Sequence, residues 1–175
     1  MRFLFIIIIM VLILPPHVAF ALTSAEEYEI KAVYLFNLGN FVKWKEDVLT
    51  KNFEICVFGT DPFGVNLDYV VEKEQQIQSY NVVIKQLSNL EGILSCQVLF
   101  MSRSAQSQFA TVFATIKNKP ILTVSDADRF VIQGGMVQFY SLEGKIRLML
   151  DPETIEDSGL KASSQLMKIA RIIEK

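Results

Sequence analysis

The chain has 175 residues, with 17 basic and 19 acidic side chains and a formal net charge of −2. That balance offers no basic field for nucleic acid or anionic lipid, and the length suits one domain with its own core. The single histidine, His17, lies within the first 21 residues, so the remainder can build neither Ser-His-Asp nor Cys-His catalysis, nor a histidine-ligated zinc site.

The first 21 residues read as a secretory signal peptide. Arg2 gives the positive end, residues 3–14 form an unbroken apolar run, and Ala19-Phe20-Ala21 is a small-x-small cleavage site. The run is shorter than the roughly 20 residues that span a bilayer, and Pro15-Pro16 ends it, which weighs against an uncleaved anchor. Cleavage after Ala21 leaves residues 22–175 as a single domain with Leu22 first and a net charge of −3, since only Arg2 is lost among the charges. The residue directly after the cleavage site is Leu22 and not cysteine, so the signal is not of the lipoprotein kind, and no later segment is apolar enough to span a membrane.

Ser24-Ala25-Glu26-Glu27 reads as a capping box opening a helix to about Trp44, with Tyr28, Ala32, Leu35, Leu38 and Val42 as its inner stripe. Strands are predicted at 53–59, 81–85, 98–102 and 120–124. Helices are expected from the Asp61-Pro62 cap to about Val71 and over 105–117. Residues 136–140 and 145–150 flank Ser141-Leu142-Glu143-Gly144 and predict an antiparallel hairpin. Asp151-Pro152 then caps a helical segment, Gly159 interrupts it, and 163–173 form a last helix with Leu166, Ile169, Ala170 and Ile173 on one face. The predicted class is α/β: a mixed, mostly parallel sheet of about six strands, helices on both faces, and a C-terminal antiparallel hairpin and helix.

Each candidate for chemistry has a plainer reading. Cys56 and Cys96 are the only cysteines, and in an oxidising compartment a lone pair favours a disulfide over two separately buried thiols. Gly59-Thr60 after a strand resembles an anion-binding turn but lacks G-x-G-x-x-G and a P-loop lysine. Gly134-Gly135 is expected to supply positive φ ahead of the hairpin. Asp126, Asp128, Glu153, Glu156 and Asp157 do not match an EF-hand loop. The first two read as solvated turn residues, and the acids after Pro152 suit the helix dipole. Ser163-Ser164 has no histidine to activate it, and Ser163 reads as an N-cap. No catalytic residue, metal site or cofactor is predicted. Phe63, Tyr69, Phe130, Tyr140 and Leu142 fall at element ends or turns, where aromatic and apolar groups can anchor a protein interface.

The order of several segments resembles the YfiR family of bacterial periplasmic proteins. They are Lys31-Ala32-Val33-Tyr34-Leu35-Phe36-Asn37 with Phe41-Val42-Lys43-Trp44, Phe58-Gly59-Thr60-Asp61-Pro62-Phe63 and Cys96-Gln97-Val98-Leu99-Phe100. Gly134-Gly135-Met136-Val137, Ile146-Arg147-Leu148 and Gly159-Leu160-Lys161-Ala162-Ser163-Ser164-Gln165-Leu166 complete the set. The resemblance implies a periplasmic, non-enzymatic repressor that binds the sensor domain of an inner-membrane diguanylate cyclase and is relieved by an outer-membrane sequestering partner. It also implies a homodimer, and Cys56 and Cys96 match one disulfide of that family. A second pair, near the late hairpin in some members, is absent.

The surface expected to meet a partner is the last hairpin and helix, with Tyr140, Leu142, Ile155, Leu160 and Gln165 as candidates. The alternative is a small-molecule sensor holding its ligand at residues 59–63 and feeding a membrane signalling protein. An enzyme working through carboxylates alone is a third reading, and it needs a buried acid of raised pKa.

Overall fold

A computed structural model describes residues 22–45 and 51–173, so the leader lies outside the described residues. Five α-helices and ten strands alternate along it. In chain order they are α1 (Ser24–Phe41), β1 (Val42–Lys43), β2 (Asn52–Phe58), α2 (Val65–Glu74), β3 (Gln76–Ile77), β4 (Tyr80–Leu87) and β5 (Val98–Met101). Then come α3 (Phe109–Thr115), β6 (Leu122–Ser125), β7 (Val137–Leu142), β8 (Lys145–Leu150), α4 (Pro152–Asp157), β9 (Lys161–Ala162), α5 (Ser164–Ile169) and β10 (Arg171–Ile172).

The main sheet has eight strands in the order β10-β8-β7-β6-β5-β2-β4-β3. The run from β4 to β7 is parallel, β3 and β8 attach antiparallel at either side, and β10 lies parallel to β8. The two-residue strands β3 and β10 account for the excess over the six expected. β1 and β9 form a separate small ribbon.

Strand alternation sends side chains to two cores. Phe53, Ile55 and Val57 of β2 join Val98 and Phe100 of β5 beneath α1, α2, α4 and α5. Cys56 and Phe58 join Leu99 and Met101 on the other face, beneath α3. Both faces of the central strands are therefore buried, which is why they read as continuous apolar runs.

Tertiary contacts set the boundaries that periodicity misplaced. α1 opens on a capping box of Thr23 with Glu26 rather than the expected Ser24 with Glu27. α1 stops at Phe41 rather than Trp44. Its last carbonyls find partners elsewhere: Gly39 and Val42 accept from Gln78 Nε2, each at 2.7 Å, and Phe41 accepts from Ser163 N. Trp44 then packs edge-on against Phe53 and donates to the Pro120 carbonyl.

α2 begins at Val65, not at the Asp61-Pro62 cap. Asp61 Oδ1 instead accepts from Phe63 N in a tight turn that delivers Phe63 into the core against Tyr28 and Phe100. The segment expected as one helix over 105–117 opens as a 3₁₀ turn, Arg103–Gln108, before α3. The last helix ends at Ile169 because Arg171 and Ile172 pair with Met149 and Leu150 on the sheet edge. Sheet pairing there displaces the helical period.

Candidate functional site

The hairpin forms as the sequence predicted, with the connection tightened to Glu143-Gly144. Both residues have positive φ, 52° and 69°, the primed-turn geometry that matches strand twist. Of the five residues placed on the candidate partner surface, Leu142 and Gln165 are exposed and Tyr140 is half-buried. Ile155 and Leu160 instead lie in the core beside Leu166, so they present no side-chain surface to a partner. Phe63 and Phe130 are likewise fully packed, whereas Tyr69 is open.

The turn after β2 leaves little for an anion. Gly59 N donates to the Leu87 carbonyl, the Gly59 carbonyl accepts from Gln86 Nε2, and Thr60 N donates to Ser104 Oγ at 2.8 Å. Gly134 has the expected positive φ of 108°, but Gly135 serves a different need. A Cβ there would overlap the Phe130 ring, which closes the core under α3.

Sequence reading missed a buried charge cluster. Lys31, on the inner face of α1, is 1% exposed, and Asp126, just past β6, is 2% exposed. Lys31 Nζ donates to Asp126 Oδ2 at 2.6 Å, pairs with Glu27 one turn back, and sits 4.3 Å from the Tyr28 ring centroid. Tyr28 donates its hydroxyl to the same Oδ2 at 2.7 Å. Arg103 Nε and Nη2 bond the Asp126 carbonyl, and its Nε lies 3.3 Å from Oδ1.

Two acids face two bases, so the cluster is balanced. Burial would raise the Asp126 carboxyl, but hydrogen bonds from Lys31 and Tyr28, with the Lys31 and Arg103 charges, hold it below the usual value. Burial, and then the bond to Asp126, push the Tyr28 hydroxyl well above its ordinary range. Asp126 is thus no solvated turn residue. The available signal was a lysine within the stripe of Tyr28, Ala32 and Leu35, one turn after an acid. The cluster ties α1 to the sheet, and within it Asp126 Oδ1 is buried without a hydrogen-bond partner among the described residues, 3.3 Å from Arg103 Nε.

Two openings stand out among the described residues. One, of about 200 Å³, lies between α3 and α4, with Phe113, Ile116, Thr123 and Met136 among its walls and Lys117 and Asp157 at its mouth. The larger, about 450 Å³, is a groove between α1 and α2. Glu29, Val33 and Asn37 form one wall at helical spacing, Asn66, Tyr69 and Lys73 the other, and Phe36 and Val70 the floor. Among the described residues no group of histidine, cysteine or acid side chains suits a metal ion.

The disulfide is formed. Cys56 of β2 and Cys96, two residues before β5, are joined with their Cα atoms 5.9 Å apart, within the core under α3. The family model described as YfiR/HmsC-like matches residues 28–171, from the first turns of α1 to β10. The chain belongs to the YfiR/HmsC-like family. That match takes in both cysteines, the hairpin and the α1–α2 groove, so the family likeness concerns the whole described fold. No curated protein matches the chain. YfiR/HmsC-like membership points to a regulator of diguanylate cyclase signalling, and the family is regulatory rather than catalytic. No described helix is long and apolar enough to cross a membrane.

Proposed function

We propose that this YfiR/HmsC-like chain is exported through its leader and acts in the periplasm, repressing a membrane-bound diguanylate cyclase by contact with the cyclase's sensor domain. The observation that carries the reading is the family match over residues 28–171. A disulfide within the core under α3 suits an oxidising compartment. Repression is a shift of population: the protein binds one conformation of the sensor better, and the effect cannot exceed that difference in affinity. A homodimer and an outer-membrane sequestering partner belong to the same reading.

Deleting the chain from its host and measuring cyclic di-GMP tests it. A rise, reversed by the exported chain and not by a version lacking residues 1–21, is expected. An unchanged level with every cyclase present would sink the repressor role. Co-purification from solubilised membranes, with the protein as bait, then identifies the target.

The α1–α2 groove favours a second reading, a small-molecule sensor, and moves its site away from residues 59–63. Pockets of this size commonly hold organic ligands. Melting-temperature shifts with a panel of nucleotides and amino acids test it, and a flat response across the panel counts against it.

A further inference from the structure

The sheet ends in a strand that is only partly covered. β10 pairs with Met149 and Leu150 of β8, so from Lys145 to Leu148 the outer edge of β8 has no strand against it among the described residues. Backbone donors and acceptors along such an edge are a template for an incoming strand. The hairpin also outruns its other neighbour. β6 reaches only Val137 and Gln138 of β7, so residues 139–142 and 145–148 extend as a two-stranded arm.

The arm has two unlike faces. Phe139, Ile146 and Leu148 are buried against the α1 side of the core. The other face carries Tyr140 opposite Arg147 and Leu142 opposite Lys145, with Arg171 of β10 beside Met149. Lys145, Arg147 and Arg171 are all exposed, and among the described residues none forms an ion pair. Three unpaired cations thus share one sheet face in a chain whose net charge is negative. Edge lysines often serve to repel strands. Here Leu142, 51% exposed, and Tyr140 stand among them, so the face offers apolar anchorage as well as charge.

We propose that the outer edge of β8 docks an extended acidic segment of a partner protein. That segment adds as a strand and lays the carboxylates of alternate residues against Lys145, Arg147 and Arg171, on the face where Leu142 and Tyr140 also stand. The proposal rests on the protein-contact reading above and names the surface and chemistry of that contact. Main-chain bonds supply affinity in this mode, and the alternating side chains supply selectivity. A lipid surface fits less well. Three cations fall short of the roughly four to eight in anionic-lipid clusters, and lipid tails cannot satisfy the backbone of an open edge.

The probe is a blocked eight-residue peptide alternating glutamate with valine, compared with one carrying lysine for glutamate, by amide hydrogen exchange of the purified protein. The acidic peptide is expected to slow exchange across residues 145–148 by about tenfold or more at saturation. The lysine peptide should leave exchange there unchanged. Lys145→Glu with Arg147→Glu should weaken the acidic peptide by about tenfold, while Val33→Ala in the α1–α2 groove should not. Equal protection by both peptides, or none by the acidic one, overturns the proposal. Binding to phosphatidylglycerol vesicles without peptide binding also overturns it, in favour of a lipid surface. Capture of the membrane target that survives the double charge reversal sinks this edge and keeps the contact reading. A wild type that captures no target and leaves cyclic di-GMP unaltered sinks the contact reading itself.

Discussion

Lys31 and Asp126 lie 95 positions apart in the chain and meet at 2.6 Å beneath α1, both nearly sealed from solvent. Their contact joins the first helix to the end of β6 and sets the helix's position along the sheet. The α1 wall of the groove is thereby fixed as well.

Removing one partner leaves a buried charge without compensation, which costs about 3–5 kcal/mol. Lys31→Met is expected near the lower end, because Tyr28 and Arg103 still face Asp126. Lys31→Met with Asp126→Leu should recover part of the loss. Urea denaturation of the two singles and the double measures the coupling, and strictly additive losses would contradict a direct pair.

Acid should weaken the fold through Asp126. Its folded pKa is depressed, so its contribution is present above the unfolded value near 4 and is lost as pH falls through the folded value. Tyr28 works at the other end. Its raised pKa gives stability that is present below about pH 10 and lost as the unfolded state ionises above it. Stability measured from pH 2 to 11 should fall at both ends. Asp126→Asn should flatten the acid limb and Tyr28→Phe the alkaline one.

The Cys56–Cys96 bond closes a loop across 40 positions, for which chain entropy gives roughly 4 kcal/mol. Cys56→Ser should lower the melting temperature, and reductant should do the same to the wild type alone. Equal melting of wild type with and without reductant would show that the bond contributes nothing.

Gly135→Ala places a methyl where the Phe130 ring lies, and overpacking of this kind costs about 1–3 kcal/mol or more. Phe130→Leu, destabilising alone, should relieve the clash, so the double variant should be more stable than the two losses added together. Thermal melts decide it, and simple additivity would remove the steric account.

Much of this architecture is legible in the chain. Apolar runs at 53–58 and 98–101 predict strands buried on both faces, because both sides of the sheet carry helices. Asp151 caps α4 through Thr154 N, and Ser163 caps α5 through Leu166 N, both as their residue types require. The candidate site was less legible. Ile155 and Leu160 look available beside a glycine interruption, yet the segment folds inward and both reach the core. Burial depends on which face of a short helix meets the sheet, and six residues are too few for periodicity to tell.

Sequence by itself determined the alternation of strands and helices, the hairpin, the capping residues and the family, because these depend on local propensity and on the order of residues along the chain. Only the tertiary structure decided that Lys31 and Asp126 would be buried together, that α1 would stop at Phe41, and that residues 171–172 would leave their helix for the sheet edge. Each of those outcomes rests on a partner distant in sequence, whose hydrogen bonds or charge outweigh the local preference of the segment.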